Sequence, residues 1–178
     1  MKFLSSLFIV TIFSAGLSHA AETAPLELKD NQAVIQVKGV VCSFCAYGTE
    51  KNLSKLSFLD KSQYGGDGVL LDINTHRITL ALDNSKTVDY PAINNAIIKG
   101  GYDPVVYFAR VHGSVSRVNG KTLLTCPKSG QVYEIKGENL VGLSQSSAVY
   151  VEGEITVESV TTLTEGQPVT LVVSHIEG

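Results

Sequence analysis

The rhythm of apolar and polar positions changes several times along this chain. Ala33-Val34-Ile35-Gln36-Val37 is a short β-rich run that stops at Gly39. From Ser43 the period becomes helical, with Ala46, Thr49, Leu53 and Leu56 recurring on one face. Residues 57–68 read as a loop, and Gly65-Gly66-Asp67-Gly68 marks a turn within it. Val69-Leu70-Leu71-Asp72-Ile73 and the run from Arg77 to Leu82 predict two strands joined at Asn74-Thr75-His76. Asp89 stands where an N-cap belongs, Pro91 falls in the first turn, and Ile93, Ala96 and Ile97 make an apolar stripe. Gly100-Gly101 ends that helix, and Tyr102 to Tyr107 returns as a strand. The order β-α-β-β-α-β predicts a ferredoxin-like domain over residues 33–107.

Beyond Tyr107 the helical period disappears. Val111 to Val118 and Lys121 to Cys126 flank Asn119-Gly120, a strong two-residue hairpin signal. Pro127-Lys128-Ser129-Gly130 makes the next turn, before Gln131 to Ile135. The runs 147–156 and 169–176 complete five strands, with Gly153 marking a bulge or tight bend. Residues 108–178 are therefore expected to form a small all-β, OB-like barrel domain, and the chain as a whole an α+β protein.

The N-terminus has its own grammar. Lys2, the apolar run Phe3 to Leu17, and Ser18-His19-Ala20 read as a secretory signal peptide over residues 1–20, followed by an N-terminal extension over 21–32. The apolar run falls short of the roughly 20 residues that span a bilayer. The expected product is periplasmic or otherwise secreted, with no stable membrane insertion after cleavage. Fourteen Lys and Arg against 17 Asp and Glu give a net charge of −3, without a basic run, which argues against a nucleic-acid partner. No Ser-His-Asp order, phosphate loop or paired-carboxylate pattern is present, so the chain is expected to bind rather than to catalyse. Its oligomeric state is not legible.

Three cysteines are too few and too odd in number for a disulfide scaffold. Two of them form the dithiol Cys42-Ser43-Phe44-Cys45, where the first strand gives way to the first helix. A helix N-terminus stabilises thiolate, and the i, i+3 spacing turns both sulfurs toward one point. Soft thiolates select soft ions, whereas zinc would want four ligands, and no second such pair completes a zinc site.

Gly39-Val40-Val41-Cys42-Ser43-Phe44-Cys45, with the later Gly101-Tyr102, resembles the heavy-metal-associated domain family. That family includes copper chaperones and the periplasmic mercury-binding protein, and its usual motif carries Met and Thr where Val40 and Val41 stand. The resemblance covers residues 33–107. It implies that Cys42 and Cys45 are the metal ligands, that Tyr102 lies beside them, that the cargo is Cu(I) or else Hg(II), and that a metal-donor or metal-acceptor protein is the partner. Thiol–disulfide chemistry at Cys42 and Cys45 is an alternative, as is a non-catalytic interaction module with a structural disulfide. Cys126 is a candidate third thiolate or a half-buried strand cysteine. His76, His112 and His175 show no ligand spacing.

Overall fold

Tyr107 to Val115 alternates strictly, and this alternation decides the architecture. In the computed structural model, which describes residues 26–39, 43–140 and 142–178, Asp103–Val118 is one strand of 16 residues (β4). Tyr107, Ala109, Val111 and Val115 point inward and are buried, while His112 is exposed on the other face. The expected signal peptide, residues 21–25 of the extension, and Cys42 lie outside the described residues.

Before β4 come β1 (Gln32–Lys38), α1 (Ser43–Leu53), β2 (Val69–Asp72), β3 (Arg77–Ala81) and α2 (Tyr90–Lys99). After it come β5 (Lys121–Thr125), β6 (Val132–Lys136), β7 (Ala148–Thr156), the short helix α3 (Val157–Thr161) and β8 (Val169–Glu177). All eight strands belong to one sheet in the order β2-β3-β1-β4-β5-β6-β8-β7, and a further β4–β7 pairing closes its last five strands into a barrel. Within the barrel β6 and β8 run parallel, and the other pairs are antiparallel.

The fold class expected from the sequence is corrected by this arrangement. The structure is mostly β, a closed five-stranded barrel with extra strands and few helices, and no ferredoxin-like domain followed by a separate barrel is seen. The boundary drawn at residue 108 falls inside β4. The first half of that strand pairs with β1, from Ala33↔Ala109 to Lys38↔Asp103, while its other edge holds β7 from Val106↔Thr156 to Ser114↔Ala148. A strand hydrogen-bonded along both edges by the two halves cannot be assigned to either. One continuous core follows, running from Ile35, Leu53 and Ile97 to Leu124, Ile155 and Leu171.

Local signals act as their chemistry requires. The Asp89 carboxylate accepts the Ala92 N–H at 2.8 Å, capping α2, and Ile93 and Ile97 are fully buried. Asn119 and Gly120 both have positive φ (51° and 77°), as the tight β4–β5 hairpin demands. Gly153 sits at a register shift between β7 and β8, where a Cβ would meet the Val172 carbonyl oxygen at 2.3 Å.

Three tyrosines seal α2 to the barrel. The Tyr90 ring meets Tyr107 and Tyr133 edge-on, with centroids 6.0 and 6.4 Å apart. The Tyr90 and Tyr133 hydroxyls share a 3.2 Å hydrogen bond, and the Tyr107 hydroxyl donates to Asn94 Oδ1 at 2.9 Å. Just before α2, the Gln131 side chain accepts from the Val88 N–H at 2.9 Å and donates to its carbonyl at 3.1 Å. On the outer face Arg110 binds Asp30, Glu152 and Glu177, tying the start of the described chain to its end.

Burial raises the phenol of Tyr90 from 10.0 to about 12, and pushes Tyr107 and Tyr133 up as well. A phenol whose pKa is higher in the folded state contributes stability that is complete below pH 10. It is lost as pH rises through the folded value. Spectrophotometric titration should therefore show these three tyrosines ionising only well above pH 10, and together with loss of near-ultraviolet dichroism. Ionisation near pH 10 with the fold intact would refute the sealed cluster.

Candidate dithiol site

Both flanks of the dithiol rest on the same short stretch of chain, the C-terminal end of α2. On the incoming side, a Cβ at Gly39 would lie 3.5 Å from the Gly101 carbonyl oxygen and 3.9 Å from Tyr102 Cδ1. Gly39, the residue that follows β1, thus lies directly against Gly101 and Tyr102, and Tyr102 is 1% exposed. On the outgoing side, Cys45 occupies the first turn of α1, half-buried against the core. Thr49, one turn further on, is fully buried and donates its hydroxyl to the Cys45 carbonyl oxygen at 3.2 Å. Thr49 in turn abuts Gly100, where a Cβ would fall only 1.9 Å from Thr49 Oγ1. That contact is where α1 and α2 cross.

Tyr102 is therefore placed against Gly39, three residues before Cys42, while Cys42 itself lies outside the described residues. The chemistry available at Cys45 is that of a thiol in the first turn of an 11-residue helix. The dipole of a helix N-terminus favours an anion or a thiolate.

Cys126 is held elsewhere. It opens the turn between β5 and β6, with its N–H on the Gln131 carbonyl at 2.9 Å and its carbonyl on the Gly130 N–H at 3.0 Å. It lines a cleft of about 260 Å³ with Tyr90, Tyr133, His112, Arg110 and Lys128. Tyr90 begins α2, a helix of ten residues or about 15 Å, and Gly100 follows its end. Burial also pushes the Cys126 thiol up, with the Ser129 hydrogen bond opposing it, which disfavours thiolate. Cys126 thus lies in the cleft that Tyr90 lines at the start of α2, whereas Thr49, one turn after Cys45, meets Gly100 at its end. Among the described residues, no group of three or more His, Cys, Asp or Glu side chains is gathered to hold a metal ion.

The histidines lie apart as well. His112 stacks at 4.5 Å on Tyr150 on the outside of the barrel, and His76, with φ 55°, turns between β2 and β3. His175 lies opposite Glu152 on β8. No helix among the described residues is long and apolar enough to cross a membrane.

Two packing features escaped the sequence reading. Thr49 was placed on the apolar stripe of the first helix without a role, although it stands four residues after Cys45, the spacing at which a hydroxyl reaches back to a carbonyl. Gly100 was read only as a helix stop. Compared with known protein families, with curated proteins and with solved structures, the chain matches none.

Proposed function

We propose that this is an exported protein that captures one soft metal ion, Cu(I) before Hg(II), between Cys42 and Cys45 and hands it to a partner by thiolate exchange. The observation that carries this reading is the place of Cys45, half-buried in the first turn of α1, with Gly39 packed against Gly101-Tyr102. A helix N-terminus lowers the cost of the thiolates that such an ion needs. The resemblance of residues 39–45 to the heavy-metal-associated motif supports the same assignment. Two sulfurs satisfy a soft ion that accepts two-coordinate geometry, so Cys126 is not required. Transfer would proceed by attack of a partner's thiolate on the bound ion, through a three-coordinate intermediate, without net redox change. The protein would act as a carrier and not as an enzyme.

The test is competitive titration of the reduced protein with Cu(I), Zn(II) and Hg(II), alongside the Cys42→Ser/Cys45→Ser variant. One equivalent of Cu(I) or Hg(II) should bind the wild type in preference to Zn(II), and the double variant should lose that site. Equal uptake by both proteins refutes the assignment. A dithiol that ignores all three ions, yet exchanges rapidly with glutathione at a potential typical of oxidoreductases, would favour the redox alternative.

A further inference from the structure

Tyr90 and Tyr133 hold one more hydrogen-bond donor than they use. Each hydroxyl carries one proton. The 3.2 Å bond between them spends one of the two, and among the described residues no acceptor takes the other. Tyr107, the third ring of the cluster, has no such remainder, because its hydroxyl donates to Asn94. Packing requires neither hydroxyl at Tyr90 and Tyr133. Phenylalanine at both positions would keep the edge-on rings and take no hydroxyl out of water. Tyr90 is fully buried and Tyr133 is 3% exposed, yet both line the cleft of about 260 Å³ with Cys126, so they form its floor. Burial raises both phenols, which keeps them protonated as donors at neutral pH.

We propose that this cleft binds a small organic carboxylate, which accepts the spare phenol proton at the floor and faces Lys128 at the rim. The charges around the cleft select the sign. Asp83 is paired with Lys86 at 3.1 Å, and Asp30 with Arg110 at 2.8 Å. Arg110 is further held by Glu152 and Glu177, so it has little left for a ligand. Lys128, exposed on the turn after Cys126, is the one Lys, Arg, Asp or Glu of the lining without an ion pair among the described residues. Water can accept the spare proton, but a carboxylate oxygen does so more strongly, because the bond is then charge-assisted. Val88, Val111 and Pro127 add apolar wall for the body of the acid. The volume lies just under the roughly 300–1,000 Å³ of ordinary small-molecule sites, which suits an acid of one ring or a short chain. This site is independent of the dithiol and of any metal it carries.

The experiment titrates the full chain with benzoate and with benzamide, an uncharged molecule of nearly the same size, beside the thermal midpoint of each variant. Benzoate should bind the wild type more tightly than benzamide. Tyr90→Phe/Tyr133→Phe removes both hydroxyls and keeps both rings. Its midpoint should hold or rise, because the two partners of one bond are lost together, while benzoate affinity falls about tenfold or more. Lys128→Gln, an exposed change, should weaken benzoate about two- to fivefold and leave benzamide unaffected, so the comparison survives if the double phenylalanine variant does not fold. Cys126 reports the location, since it is the chain's one thiol in Cys42→Ser/Cys45→Ser. Bound benzoate should slow its alkylation by iodoacetamide. Wild-type benzoate affinity in a folded Tyr90→Phe/Tyr133→Phe protein overturns the proposal, and so does alkylation that saturating benzoate leaves unchanged. Equal loss of benzoate and benzamide in Lys128→Gln refutes the preference for an anion. Failure of benzoate and of acetate to bind the wild type at millimolar concentration overturns the site as a whole.

Discussion

Gly100→Ala is expected to lower stability by about 3 kcal/mol, the upper part of the usual overpacking range. In a chain of this length that corresponds to a drop of roughly 6–12 °C in the thermal midpoint. The added methyl would lie 1.9 Å from Thr49 Oγ1, 2.8 Å from its Cβ and 2.9 Å from its Cα. A flexible side chain could turn aside from such a contact, but the Cβ and Cα of a buried helical residue cannot. The helices must separate, and α1 then loses the packing of Leu53 and Ala46 on the core. Removing the Thr49 hydroxyl and methyl relieves only the first of the three contacts. Gly100→Ala should therefore be rescued in part, and not in full, by Thr49→Ala, giving a clear coupling energy in a double-mutant cycle. A urea midpoint for Gly100→Ala within error of the wild type would mean that α1 and α2 do not meet at this point.

Ending the chain at Tyr107, where sequence grammar places a domain boundary, is expected to abolish cooperative folding. Such a fragment keeps β1, β2, β3 and both long helices, but it cuts β4 after its fifth residue. The inner edge of the remaining sheet would lose Val106↔Thr156 and Tyr107↔Ile155, exposing backbone groups that now pair with β7. Tyr90 would lose the ring and hydroxyl of Tyr133, leaving two large aromatic side chains to water at the base of α2. Ala109, Val111 and Val115, which belong to the shared core, would be gone. Extending the fragment to Val118 restores those residues but not β7 or β6, so it should fail likewise. Amide dispersion in a proton NMR spectrum and a urea titration decide the matter. A sharp transition with native-like dispersion for either fragment would show that the halves fold independently.

This second prediction also shows where reading the chain went astray. The split at residue 108 came from starting a new strand at Val111, when the alternation Tyr107-Phe108-Ala109-Arg110-Val111-His112 runs on without a break. Pattern showed two strands because its windows are short, and β4 is about three times the usual strand length. The parallel pairing of β6 with β8 was equally hidden, since periodicity reports which residues face a core and says nothing of which strands are neighbours. Helix α3 escaped because five residues, Val157–Thr161, are too few to show a period; its one local signal was the Thr156 cap, whose side chain accepts the Ser159 N–H.

The dithiol stands in a similar position. Cys42 and Cys45 were legible as a pair because their spacing is a matter of chain chemistry, and so was the start of a helix at Ser43. Tyr102 was tied to them only through resemblance, and among the described residues it packs on Gly39. The fates of Thr49 and Cys126 were out of reach. One depends on how closely α1 approaches α2, the other on which end of α2 the β5–β6 turn meets.

What the sequence determined by itself, then, is what depends on neighbours along the chain. It set most of the strands and both long helices, the Asp89 cap, the Asn119-Gly120 hairpin, the bulge at Gly153 and the presence of two thiols three residues apart in the chain. What only the tertiary structure decided is what depends on distance through space. That includes the fusion of two apparent domains through β4, the tyrosine seal between α2 and the barrel, the place of Cys126 in a cleft with Tyr90 and Tyr133, and the pressing of Thr49 against Gly100. The physical reason is common to all four. Local propensity and periodicity are sums over a few residues, whereas strand partners and helix contacts are chosen by the burial of a core that draws on the whole chain.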